Sequence, residues 1–170
     1  FIPYLLLIAF GLIFMDFSLA FMFLVIVFAT LYVIGIYFLV QQVVSDRSIA
    51  LSSSVLSLAS FLFYRLFLDM LCNIVGWTFL LYAMVFFAKL MKVEGRRKDK
   101  YLFFILLLLG IFSHIWSCII FLLILFVTIL LLFISNKEER KTAIALFRLV
   151  IFSLTPIVIA WDLFMFRVTI

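Results

Sequence analysis

IPYLLLIAFGLIFMDFSLAFMFLVIVFATLYVIGIYFLV, residues 2–40, carries a single charge, Asp16, in 39 positions. As one helix rising about 1.5 Å per residue it would measure about 58 Å, nearly twice a hydrocarbon core of about 30 Å. Two spans joined by a turn at Met15–Ser18 remove the mismatch, the first of them being short. The polar stretch QQVVSDRS at 41–48 closes the pair.

Composition agrees with a chain of this kind. Of its 170 residues 70% are apolar and 12% charged, and 24 are phenylalanine. A soluble domain averages about 45–50% apolar and about 25% charged. So few polar side chains cannot cover the surface of a protein this small in water, so lipid or other membrane proteins must be the solvent for most of it.

Outward from the first pair the pattern repeats. Residues 49–88 are mostly apolar, with Arg65, Asp69 and Asn73 near the middle. Charges at the midplane of one long helix are costly, which predicts a second hairpin turning around 66–73. KLMKVEGRRKDK at 89–100 then holds six of the thirteen Lys and Arg residues. Residues 101–134 are nearly all apolar over 34 positions, about 51 Å if helical. They read as a tight hairpin of spans 101–115 and 118–134 with His114 at the far surface, and one long tilted helix as the alternative. SNKEERKT at 135–142 leads into a last span, Ala143–Trp161, that ends at Asp162 and contains Pro156, a residue that breaks helix hydrogen bonding.

The expected fold is therefore all-α, a polytopic transmembrane helical bundle forming one integral membrane domain over 1–170. It has about seven spans, three hairpins plus a final helix, or six if 101–134 is one helix. The seven-span parity gathers 41–48, 89–100 and 135–142 on one side. Eleven of the thirteen basic residues then lie near that face, leaving Arg65 and Arg167 for the other. The tendency of Lys- and Arg-rich loops to stay inside makes that face cytoplasmic, in a plasma or bacterial inner membrane, and puts the C-terminus outside.

Seven of the twelve serines fall between 45 and 60. Ala50, Ser53, Ser57, Ser60 and Tyr64 recur at offsets of three and four, which places them on one helical face. Small residues let helix backbones approach closely in lipid, so this face is expected to pack helices; the other reading is a polar lining for a solute path. Arg65 and Asp69, four residues apart, form either a turn clamp or a substrate or ion site. His114, the only histidine, is read as interfacial beside Trp116, with a proton relay as the other reading. Asp16 and Asp162 are read as span terminators that would become coupling sites at the midplane. Lys92, Arg96, Arg97, Lys98 and Lys100 are the candidate contacts to lipid headgroups or an acidic partner.

Chemistry has few players. Cys72 and Cys118 match neither a metal nor a redox spacing. The chain has no G-x-S-x-G, no H-E-x-x-H, no phosphate-cradling glycine loop and no C-x-x-C. No catalytic residue, metal or cofactor is assigned, and no basic surface suits nucleic acid. The leading expectation is a small integral membrane subunit of a larger multisubunit membrane complex, with an assembly or accessory role. Its expected partners are other integral membrane proteins and lipids, as a homo- or hetero-oligomer. A transporter, or a substrate-binding transporter subunit for a small solute or lipid, comes second, and an intramembrane enzyme third.

Overall fold

The computed structural model describes residues 2–63, 70–92, 96–134, 140–148, 150, 151 and 155, apart from the side chains of 58–63, 70 and 115–118. Among the described residues there are seven helices and no strand. Six are α1 (Ile2–Phe14), α2 (Phe17–Val44), α3 (Arg47–Phe63), α4 (Met70–Met91), α5 (Arg97–Ser113) and α6 (Ile115–Ile134); α7 covers 140–148. The chain is all-helical, as its sequence predicts.

Two helical segments, Phe17–Val44 and Leu71–Met91, are long and apolar enough to cross a membrane. The lengths of the others do not by themselves give seven spans. With 13 residues in α1 and 17 each in α3 and α5, they reach about 20 and 26 Å, short of a hydrocarbon core of about 30 Å.

The ends of α2 are built alike. Met15 takes a left-handed φ of 52° and Asp16 an extended one of −150°, and the Asp16 carboxylate accepts from the backbone N–H groups of Ser18 at 2.7 Å and Leu19 at 3.1 Å. At the other end Ser45 is left-handed, φ 60°, and donates its N–H to the Gln41 carbonyl at 3.1 Å. Asp46 then accepts from Ser48 at 2.8 Å and Ile49 at 3.1 Å. In each joint a left-handed residue ends one helix and an aspartate satisfies the first orphan N–H groups of the next. The expected turn at Met15–Ser18 is thus two residues, Met15–Asp16. The polar stretch 41–48 likewise reduces to Ser45–Asp46, because Gln41–Val44 already belong to α2 and Arg47–Ser48 to α3.

By contacts the chain divides into two units, Phe1–Ile119 and Ile120–Ile170. In the first, α4 packs against both α2 and α5, while α1 and α3 pack on α2. Leu24 and Phe28 of α2 meet Leu71, Ile74 and Val75 of α4 in a buried cluster, with Leu6, Leu7 and Phe10 of α1 against it. Thr78 donates its hydroxyl to its own helix at Ile74 O, 2.6 Å, and lies 3.3 Å from the Phe28 carbonyl across the α2–α4 seam. The α4–α5 seam is also close. A Cβ on Gly110 would lie 2.5 Å from Leu80 Cδ2, and one on Gly76 would lie 2.8 Å from His114 Cβ. Both glycines let a neighbour fill the space a side chain would take, the device by which helices approach closely in an apolar solvent.

The second hairpin differs from its expected form. α4 begins at Met70, so 70–73 are helical and not part of the turn expected around 66–73; residues 64–69 lie outside the described residues. The principal described partner of α3 is α2, not α4. The small side chains of Ala50 and Ser54, both buried, permit this close approach. The third pair is divided at a single residue, which removes the one-helix alternative for 101–134. That residue is His114, inside the expected first span, and the expected turn at 116–117 is helical within α6. His114 leaves helical geometry at φ −156°, ψ 105°, its N–H still donating to Gly110 O at 3.0 Å.

Within the second unit Phe121, Leu125 and Ile129 form a buried stripe at four-residue spacing. Arg140, at the start of α7, donates Nε–H to the Phe133 carbonyl at 2.9 Å with its guanidinium 5.6 Å from the Phe133 ring. A cation thereby satisfies a carbonyl in the last turn of α6.

Candidate functional site

The end of α2, the end of α4 and the first turns of α5 meet around a cleft of about 460 Å³. α4 contributes Phe86 and Lys89, three residues apart and so on one face, and Lys92 lies just beyond its end. α5 contributes its N-cap Arg96, then Lys98, Asp99 and Leu102. The α2 wall is Gln42.

Each polar group has a local reason for its position. The Lys92 ammonium donates to the Gln42 carbonyl, in the last turn of α2 where carbonyls lack helical partners. Lys89 lies in the last turn of α4, where a cation complements the helix dipole, with Nζ 5.0 Å from the centre of the Phe86 ring. Asp99 is buried and accepts the Arg96 N–H at 2.8 Å while its own N–H donates to Arg96 O at 2.9 Å. That reciprocal pair fixes the start of α5. Four cations and one carboxylate leave the lining with a net charge of +3, to which the α5 N-terminus adds its partial positive charge. Such a lining attracts an anion, and Phe86 and Leu102 give that anion an apolar neighbour.

Of the five cations expected to contact headgroups, Lys92, Arg96 and Lys98 come together here; Arg97 and Lys100 are exposed outside the lining. Lys89, Gln42 and Asp99 complete the cleft. Lys89 was legible as a partner of Lys92 from their three-residue spacing, whereas Gln42 comes from a helix 50 positions away.

The other candidates lie elsewhere. Asp16 is exposed and occupied as the α2 cap. His114 is half-buried at the α5–α6 break over Gly76. Arg65, Asp69, Tyr64 and Asp162 lie outside the described residues, as does the Ser60 side chain. On α3, Ala50 and Ser54 are buried and Ser53 and Ser57 half-buried, so Ser54 is the centre of the face expected around Ser53. The Ser54 hydroxyl donates to Ala50 O at 2.8 Å and that of Ser57 to Ser54 O at 2.7 Å. Both turn back on their own helix, which leaves a smooth, small surface for packing. Among the described residues no three His, Cys, Asp or Glu side chains gather as a metal site would require. Comparison with protein-family models, curated proteins and solved structures finds no match to this chain.

Proposed function

We infer that the chain is an integral membrane subunit of a larger membrane complex, with an assembly or accessory role. One observation carries this reading: the apolar surface that α2 leaves uncovered. Only 22% of its most apolar stretch is buried, against 50% for α4, and Phe21, Met22, Phe23, Ile26, Ile34 and Phe38 are exposed along it. A soluble monomer rarely exposes a continuous apolar patch beyond a few hundred Å². Lipid and partner helices are the surroundings in which such a helix is stable. In this reading the helices form about seven spans, three hairpins and a final helix, with the basic loops 41–48, 89–100 and 135–142 on the cytoplasmic side.

The test is whether a tagged full chain resists carbonate extraction from membranes and migrates in mild detergent in a complex larger than its own multiples. Release by carbonate refutes the membrane reading. A monodisperse single-chain particle that is fully stable refutes the subunit role. Labelling that finds 89–100 and 135–142 on opposite sides refutes the span arrangement.

A second reading, a transporter or a substrate-binding transporter subunit for a small solute or lipid, draws support from the cationic cleft. It predicts that Asp69→Asn abolishes uptake while leaving the assembled complex intact; in an accessory subunit the same change is mild.

A further inference from the structure

We propose that the cleft between the ends of α2 and α4 and the start of α5 binds the phosphate of an anionic phospholipid headgroup. The proposal rests on the membrane reading above and names the ligand of this site.

Depth is the first ground. Lys89 lies 18 residues beyond Leu71, about 27 Å along the helix axis. This is close to the hydrocarbon thickness of about 30 Å, so a chain spanning with α4 brings Lys89 to headgroup level. Phe86 lies one turn deeper and Leu102 one turn into α5 from Lys98 and Asp99, where acyl chains begin. The cleft thus joins cations to apolar walls in the order in which a phospholipid joins phosphate to acyl chain.

Charge and size are the second. The net +3 lining faces a space of about 460 Å³, within the range of about 300–1,000 Å³ typical of small-ligand sites. Lys92 holds the Gln42 carbonyl, so Lys89, Arg96 and Lys98 are the cations assigned to the phosphate. An acidic protein segment would need charge spread across an open surface, whereas these cations line one cleft together with the apolar side chains of Phe86 and Leu102.

The full chain is purified in mild detergent and examined by native mass spectrometry with two probes of identical acyl chains, phosphatidylglycerol and phosphatidylcholine. Phosphatidylglycerol is expected to bind at least ten-fold more tightly. Lys89→Gln, Arg96→Gln and Lys98→Gln each weaken it about five-fold, the equivalent of roughly 1 kcal/mol per cation near an anionic surface. Arg97→Gln and Lys100→Gln, on the same helix outside the cleft, change it less than two-fold. Equal binding of both lipids, or equal losses from the two sets of variants, overturns the site. Glycerol phosphate competing as well as the whole lipid overturns the lipid as the source of the phosphate. An oligoglutamate that displaces phosphatidylglycerol at lower concentration overturns it in favour of an acidic protein partner. Carbonate-resistant incorporation into phosphatidylcholine vesicles, measured on the same preparation, separates the two levels. Incorporation without lipid selectivity removes the site alone, and failure to incorporate removes both.

Discussion

Replacing Gly110 by alanine sets two effects of opposite sign against each other. In a helix interior alanine is better than glycine by about 1 kcal/mol, so propensity alone makes the variant more stable. The structure argues the reverse. The new Cβ would lie 2.5 Å from Leu80 Cδ2 and 2.7 Å from Cγ, where carbon atoms in contact stand about 3.5–4.0 Å apart. Leu80 is fully buried and its Cγ is not a free tip, so relief requires α4 and α5 to separate by about 1 Å. Overpacking of this kind costs about 1–3 kcal/mol, leaving a net loss of about 0–2 kcal/mol. Gly35→Ala supplies the control. Its Cβ would meet only side-chain atoms, the nearest being Leu81 Cδ2 at 2.9 Å and Tyr82 Cε2 at 3.2 Å, and both of those residues are half-buried and free to turn aside. Propensity cancels between the two variants, so Gly110→Ala is expected to be less stable than Gly35→Ala by about 1–3 kcal/mol. Unfolding of the detergent-solubilised protein, followed by circular dichroism against added SDS, reads that difference. Equal stabilities, or Gly110→Ala the more stable, would show that the α4–α5 seam is not packed as described.

Asp16→Ala and Asp46→Ala each remove a cap that holds two N–H groups, and each is expected to cost about 1 kcal/mol in the same assay. Asp16→Asn keeps the acceptor and stays within a few tenths of wild type; loss of complex function in that variant with stability intact would instead mark Asp16 as a coupling residue. Met15→Gly relieves a left-handed residue at φ 52° and is expected to stabilise by up to about 1 kcal/mol; a lowered unfolding midpoint contradicts the assigned joint. Ser54→Leu puts a large side chain where α3 packs on α2 and is expected to destabilise by about 1–3 kcal/mol, whereas Ser52→Leu on the exposed face changes stability little; equal effects would refute the orientation of α3.

The features legible in the sequence are those fixed by local arithmetic. On the expectation of a hydrocarbon layer, 39 nearly uncharged residues require a break, and Asp16 was the residue able to cap the second helix of the pair. A break in 101–134 came from the same length argument, but it was expected at 116–117, which are helical, and falls instead at His114; no glycine or proline marks either position. The glycine that accommodates His114 is Gly76, where a Cβ would lie 2.8 Å from His114 Cβ; it is 38 positions earlier on α4 and adjacent only in three dimensions. The partner of α3 was illegible for a related reason. Nearly uniform apolar helices carry little information about which face meets which neighbour, and contiguity leaves α2 and α4 equally available; the contacts place α3 on α2. On α3 the expected face ran through Ser53 and Ser57 and omitted Ser54, which burial shows is the most enclosed of its described serines. The cleft was half legible: its cations are concentrated in 89–100, with Phe86 and Leu102 at helical spacing from them, but the Gln42 carbonyl that Lys92 serves and the meeting of α4 with α5 come from tertiary placement.

The position of α2 between neighbours that emerge at different times has a consequence for biosynthesis. Its two-residue joints let α1 and α3 dock as soon as each is made, but Phe28 waits for Leu71, 43 residues later in the chain. At about 5–20 residues per second of translation, that delay is about 2–9 s, far longer than helices take to form. In the membrane reading proposed above, the surface destined for α4 faces, throughout that delay, whatever the insertion machinery presents. A nascent chain stalled with α2 outside the ribosome and α4 still within it is therefore the species in which an insertion factor would leave its crosslink on Leu24 and Phe28.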